Sequence, residues 1–424
     1  MKAKVIFFIC IFIIIGMPAR PQNKRMIFKG HVLDRELFIP LIGANIRVEG
    51  TRKGVVTDNE GSFTLTIYNV PVFLTVSHVG YETQRIWLDQ TTTAITVLMA
   101  KATSNLPEIE IKSKTDPMPF FKDNKYAVLD YEVDSGMVYL LTYRSRMLKS
   151  ELLCKSLSGD TMALSGLLTF KPTGLFHDCL GNMHVLSADS AYQLYRHDGH
   201  LELIYPVEIN RFHGIMPGCV ASTNELLFVR KVSPDGQIVL FSAIDRKTRS
   251  NRFLQASRDE VKLKMLHDSP YDLYLLLMDS IPGNPYEAAY MQWLKKIIYK
   301  PNTSTLHKIG DLMCVFNTTD YTLSFYMLSG EFTSKLKMPV EKIDDGKWTT
   351  EIYIDNIKNK VYTTFRKGGR FTLYRIDLNN GELKRQFSSV HDFPRKIRVH
   401  DNHLFYLYDV PGEGDNKHLF RQKL

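Results

Sequence analysis

From Val138 to the C-terminus one pattern recurs, a polar turn followed by a short apolar-aromatic strand. The strands begin near Val138, Met183, Leu226, Leu273, Met313, Val361 and Leu404. Their spacing of roughly 40 to 48 residues is the period of a four-stranded propeller blade. FTLYRIDLNNGELKRQF, TLSFYMLSGEFTSKLKM and SAYQLYRHDGHLELIY add an outward hairpin after several of these strands. A β-propeller accounts for both the period and the hairpins. Seven starts give seven blades. The fourth unit is irregular, because PGNPYEAAYMQWLKKIIYKP interrupts it with a helix expected over 286–298, so six blades with one insertion is the second count. The chain ends at HLFRQKL, a third strand with no fourth. An earlier strand, near 108–112 or 126–133, would close the last blade and remove its open edge.

A chain of 424 residues exceeds one ordinary core and implies two domains. The net charge of +9 includes Lys2, Lys4, Arg20, Lys24 and Arg25, which leaves roughly +4 on the folded part. No dense Lys/Arg run is present, which argues against nucleic acid as a partner. Lys2 and Lys4 precede an almost continuously apolar run from Val5 to Ile15, and Gly16, Met17, Pro18 and Ala19 break it. That run is short for a membrane span and right for a secretory signal, assigned to residues 1–21. Cys10 lies inside the apolar run, where a lipid-modified cysteine does not sit. The mature chain shows no further apolar segment long enough to span a bilayer, so it is expected to be exported: periplasmic, outer-membrane-associated or secreted. Its cysteines, Cys154, Cys179, Cys219 and Cys314, are far apart and form no CxxC pair. Buried free thiols are expected in preference to a disulfide framework, and no zinc site.

Ahead of the repeats, residues 26–112 alternate with period two. Ala44, Ile46 and Val48 share a face, as do Phe63 and Leu65, and Leu74, Val76 and His78. Ile86 and Leu88, then Ile95 and Val97, are the last inward pairs. Asp58-Asn59-Glu60-Gly61 is a hairpin signal in which polar side chains cap the turn and glycine tolerates positive φ. No helical period competes, so about seven short strands form an all-β sandwich. Residues 113–125, with Pro117 and Pro119, read as a linker, and 126–424 as the propeller.

The turn order here is specific: G-x-V-x-D from Gly30 to Asp34, P-L-x-G-A-x-I-x-V-x-G-T from Pro40, G-x-x-T-D-x-x-G-x-F from Gly54, L-x-V-S-x-x-G-Y ending at Tyr81, and L-x-E-I-x-I. It resembles the carboxypeptidase-regulatory-like domain. That resemblance implies a transthyretin-like sandwich of the kind that extends TonB-dependent outer-membrane transporters in Bacteroidetes-type bacteria. It implies no peptidase, and the chain carries no HxxE-type zinc motif. His78, where the family more often has Tyr or Phe, reads as a core or edge substitution.

The most polar cluster near a blade turn is His177, Asp178, Asn182, His184 and Asp189, the candidate ligand-binding residues. His177 and Asp178 are neighbours and would point to opposite faces of a strand. Turn capping by Asp178 and Asn182, with one satisfied histidine, is the simpler account. His197, Asp198 and His200 occupy a hairpin tip. No GxSxG elbow, HExxH helix or Walker loop occurs, and no catalytic set, cofactor or metal site is assigned. Tyr286, Tyr290, Trp293 and Ile297 fall on one helical face, with Lys295, Lys296 and Lys300 nearby; packing against the propeller is the expected use of that face. The favoured function is an exported, non-catalytic binding or scaffolding protein that holds a glycan or cell-envelope protein at the propeller's loop face. The alternative is a glycan- or peptide-processing enzyme whose site draws single residues from several blades.

Overall fold

The computed structural model describes residues 25–424 except 52, 69, 91, 93, 103–115, 124, 145–148, 279 and 412–416. The signal segment expected over 1–21 and the closing-strand candidate at 108–112 lie outside these residues. Two compact units emerge, one reaching Tyr81 and including Trp87–Lys101, the other made of Glu82–Ile86 and Ala102–Leu424.

The N-terminal sandwich has seven strands: β1 (Met26–Asp34), β2 (Asn45–Val48), β3 (Gly54–Val56), β4 (Ser62–Ile67), β5 (Val72–Ser77), β6 (Gln84–Leu88) and β7 (Ala94–Met99). One sheet has the order β4-β1-β7 and the other β3-β2-β5-β6, with β1 antiparallel to β4 and parallel to β7. Period-two alternation sends Ala44, Ile46, Val48, Phe63, Leu65, Leu74, Val76, Ile86, Leu88, Ile95 and Val97 into the core, as their spacing predicts. His78 is half-buried at the strand end, its ring nitrogens 2.9 Å from the Val79 carbonyl and 3.0 Å from that of Ile42. The turn before β4 is built as its residues demand. Asp58 Oδ1 accepts from the amides of Glu60 and Ser62, and Gly61 sits at φ +69° with the Val32 carbonyl 2.7 Å from where a Cβ would stand. Two motif positions far apart in sequence meet here. The Tyr81 hydroxyl donates to Asp34 Oδ2 at 2.8 Å, while Asp34 Oδ1 takes the amides of Glu36 and Leu37.

The second unit is a propeller of six four-stranded blades. Five are continuous in sequence, over 127–167, 172–208, 219–258, 305–337 and 347–388. The sixth takes three strands from 395–423 and its fourth from β8 (Met118–Phe121), where Leu419 pairs with Phe121. Inner strands lie side by side around the ring: Ala127–Asp134 contacts both Pro172–His177 and Arg395–His400, Cys219–Ser222 contacts Thr305–Ile309, and Lys347–Asp355 contacts Arg395–His400. Neighbouring blades pack through aromatic-aliphatic layers, such as Phe228, Phe241, Met313 and Val315 between the third and fourth, and Val128, Leu140, Phe405 and Leu419 between the sixth and first. The first two blades also share an edge, a parallel bridge from Leu164 to His200 that runs their sheets together as eight strands.

The blade count is six, not seven. The fourth expected start, at Leu273, lies in a helix. After the third blade come α2 (Glu260–Asp268), α3 (Pro270–Leu277) and α4 (Pro285–Trp293), extended by a π-turn over Leu294–Ile298; α1 (Ile209–Ile215) follows the second blade. Pro270 at the first turn of α3 presets helical φ, and a short apolar run such as LYLLL reads equally as strand or helix until its ends are weighed. The closing strand also differs from expectation. It comes from within the stretch read as linker, whereas 126–133 supplies the inner strand of the first blade. Free thiols hold for Cys154 and Cys314, both buried, but Cys179 and Cys219 form a disulfide. They lie 40 residues apart and join the turn after the second blade's inner strand to the first residue of the third blade's inner strand.

Candidate functional site

Of the five candidate residues, Asp178, Asn182 and His184 meet in one turn, whereas His177 and Asp189 lie apart from it. Asp178 is buried in the turn that links the inner strand Pro172–His177 to Met183–Ser187, and it organises that turn. Its Oδ1 accepts from the amides of Leu180 and Asn182, both at 2.8 Å; its Oδ2 accepts from Asn182 Nδ2 at 3.1 Å and lies 2.8 Å from His184 Nε2. His184 is buried edge-on against Phe212 of α1, with ring centroids 5.0 Å apart. Burial alone would favour the protonated acid, but His184 and the turn amides outweigh it and hold the Asp178 carboxyl below the usual range. Asp189 sits at the far end of strand Met183–Ser187, accepting from Ser187 Oγ at 2.6 Å. These contacts make the cluster a capped turn.

His177 points the other way, as neighbouring strand residues must. It is exposed at the mouth of a cavity of about 400 Å³, 3.8 Å from Asp134. Glu132, Lys396, Arg398 and Asn356 share that cavity. Below the mouth, Lys396 Nζ lies 2.5 Å from Asp130 Oδ1 and 2.8 Å from Glu132 Oε1. Arg398 donates to Glu132 through both Nε and Nη2 at 2.8 Å. Burial works against ionisation of Glu132, yet Arg398 and Lys396 prevail and keep its carboxyl below the usual range. The remaining Asp130 oxygen accepts the Leu175 amide at 2.8 Å. Both carboxylates are thus committed to fixed cations and amides, an arrangement that pins three inner strands together.

At the blade ends where inner strands begin lies a groove of about 970 Å³, which spacing arguments missed. Its walls come from the end of the third blade and first turn of α2 (256–262), the approach to the fourth blade (300–303), a hairpin turn of that blade (317–321), and the start of the fifth blade's inner strand (347–351). The pairing register slips between Trp348 and Ile352, so that Thr349, Thr350 and Glu351 form a bulge. Thr350 and Tyr321 adopt φ of +63° and +54°, a region a β-branched or bulky residue enters only under strain. Hydroxyls along the walls orient one another: Thr303 and Thr318 are 3.1 Å apart, Thr349 and Thr364 2.8 Å, and Thr319 donates to Asn317 at 2.7 Å. The Trp348 and Tyr321 rings meet edge to face at 5.8 Å. No sequence motif marks these residues; the signal available was the unusual run of threonines in blade turns.

The aromatic face of α4 also departs from expectation. Tyr286, Tyr290, Trp293 and Ile297 are exposed, while the helix buries Met291 and Leu294 against Leu266, Leu275, Leu276 and Tyr299. Tyr290 donates to Asp272 and stacks on Trp293. Among the described residues no helix is long and apolar enough to cross a membrane, and no group of three or more His, Cys, Asp or Glu side chains is placed to hold a metal ion.

Comparison with known proteins bears on the sandwich. Residues 28–111 match the model of the CarboxypepD_reg-like domain. A 48-residue stretch is 40% identical to TonB-dependent receptor P39 of Formosa agariphila, covering 11% of this chain and 5% of that receptor. The chain therefore spans about a twentieth of that relative's length. Solved structures similar to the chain include a member of the duf4221 family from Bacteroides vulgatus (11% identity, 72% of this chain and 95% of that one, TM-score 0.36) and a luciferin-regenerating enzyme (9%, 71% and 92%, 0.34). A streptogramin B lyase is similar at 10% identity, over 73% and 86%, with a TM-score of 0.31. At such scores these likenesses carry no argument about activity. The family match covers the segment whose turns carried the resemblance, and it ends at residue 111, ahead of the propeller.

Proposed function

We propose that this is an exported, cell-envelope-associated binding protein, non-catalytic, whose propeller holds a ligand in the groove walled by Arg258, Thr303, Thr318, Trp348, Thr350 and Arg366. The observation that carries the reading is the strained bulge at Thr350, which turns a run of threonines into the wall of a roomy polar groove. The CarboxypepD_reg-like match and the short likeness to a TonB-dependent receptor support an envelope setting, and an N-terminal signal of the kind read at 1–21 would deliver the chain there. The enzymatic alternative is weaker, because the inner-strand carboxylates Asp130 and Glu132 are already held by Lys396 and Arg398.

The test is to screen the full mature chain on an oligosaccharide and envelope-component array, then follow any bound component for cleavage. Retention without product, abolished by Thr350→Trp, is the expected result. Product formation, or binding that ignores groove substitutions, would overturn the proposal.

A further inference from the structure

The charges around the groove are unbalanced in a way that indicates what it holds. Arg258, Lys300, Lys347 and Arg366 line it, and none has an ion-pair partner among the described residues. Arg366 Nε is buried without any hydrogen-bond partner. Most of the carboxylates present are already engaged. Asp259 pairs with Lys262 at 2.9 Å, Asp320 accepts from Thr322 at 2.7 Å and faces Lys335 at 3.9 Å, and Glu351 accepts from the Tyr353 hydroxyl. Glu260, exposed on the first turn of α2, is the one lining carboxylate without a partner among the described residues. Four cations without an ion-pair partner thus face two carboxylates without one, Glu260 and Glu351, in a single concave site, and such an excess of positive charge gathers anions.

The rest of the lining narrows the class. Charge alone would suit an acidic peptide as well as an acidic sugar. However, the walls carry a series of hydroxyl and amide groups, from Thr303, Thr318, Thr319, Thr349, Thr350 and Asn302, held in fixed directions by mutual hydrogen bonds. Fixed donor-acceptor groups beside aromatic rings match a polyhydroxylated ligand whose rings present both hydroxyl edges and apolar faces. A volume of about 970 Å³ lies at the top of the range for small-ligand sites and accommodates several linked units better than one. We infer that the groove binds an acidic oligosaccharide, with carboxylate or sulfate groups met by Arg258, Lys300, Lys347 and Arg366, and hydroxyls met by the threonine walls. This inference rests on the binding reading proposed above.

The experiment uses the full mature chain and calorimetric titration with oligogalacturonate, its fully methyl-esterified neutral counterpart, a sulfated oligosaccharide and a poly-glutamate peptide. Binding of oligogalacturonate or the sulfated probe is expected, weakening with salt. Lys300→Glu and Lys347→Glu, exposed substitutions whose folding is checked by thermal melts, should each weaken it about tenfold, the loss of one charge-assisted contact. If the neutral ester binds as tightly, or poly-glutamate binds better, the acidic-saccharide assignment is wrong; sensitivity of that binding to the same substitutions would leave the groove reading intact. If neither acidic saccharide binds, the assignment fails. Binding of any probe that is indifferent to both substitutions and to Thr350→Trp overturns the groove reading itself.

Discussion

Arg398 of the sixth blade grips Glu132 of the first through two hydrogen bonds of 2.8 Å, a bidentate clasp across the blades that close the ring. Glu132 is buried, and Lys396 adds a third contact to it. Arg398→Met leaves that carboxylate with Lys396 alone. The expected cost is about 2–3 kcal/mol, below that of stranding a buried charge completely, read as a fall in the urea midpoint at pH 7.

The same clasp sets a pH dependence. Because the folded-state carboxyls of Glu132 and Asp178 are depressed, the stability they contribute is complete above the ordinary carboxylate range and is lost as pH falls through their folded values. Stability is therefore expected to decline below about pH 4. In Arg398→Met the Glu132 carboxyl moves up toward its unfolded value, so less stability is lost on acidification and the acid limb of a stability-pH profile should be shallower. An unchanged limb would count against the clasp.

Asp178 tests the division between scaffold and site. Replacing it with Ala removes the acceptor for two amides, Asn182 and His184, and should cost about 2–3 kcal/mol in a thermal or urea melt. Ligand affinity in the groove should not change. A selective loss of binding in a fully folded Asp178→Ala protein would restore this turn as a binding site.

The Cys179–Cys219 disulfide ties the turn of the second blade to the first residue of the third blade's inner strand. The double Ser variant should lose about 2–4 kcal/mol, as expected for opening a cross-link over 40 residues, and should melt alike with and without reductant. The parent should melt lower in reductant.

Thr350→Gly separates strain from stability. Glycine occupies φ +63° without penalty, so the variant should gain up to about 1 kcal/mol in a melt while binding more weakly, since it also loses the Thr350 hydroxyl. Equal or lower stability would remove the argument from strain.

These residues also show what the sequence carries openly. The sandwich was legible because each turn is written locally: Asp58 and Gly61 cap and bend within a few residues, and period two assigns most of the core, though not the run Val97-Leu98-Met99 that is buried throughout. The blades were legible as a period, but not as a count. SPYDLYLLLM has the composition of a strand and folds as helix once Pro270 and its neighbours in α2 and α4 are in place. The Cys179–Cys219 pair, the Arg398–Glu132 clasp and the groove depend on which blade ends meet. That is ring geometry, and no window of adjacent residues encodes it.

The origin of β8 has a consequence for biosynthesis. Leu419, which follows all five continuous blades, must find Phe121, synthesised before any of them. A growing chain can stack blades one after another, yet its ring stays open until Lys417–Lys423 has been made, with the β8 strand waiting unpaired. Loss of the strand Lys417–Lys423 would therefore leave both β8 and His403–Asp409 without their partner at once, and a frameshift there should be as damaging as one in the middle of the propeller.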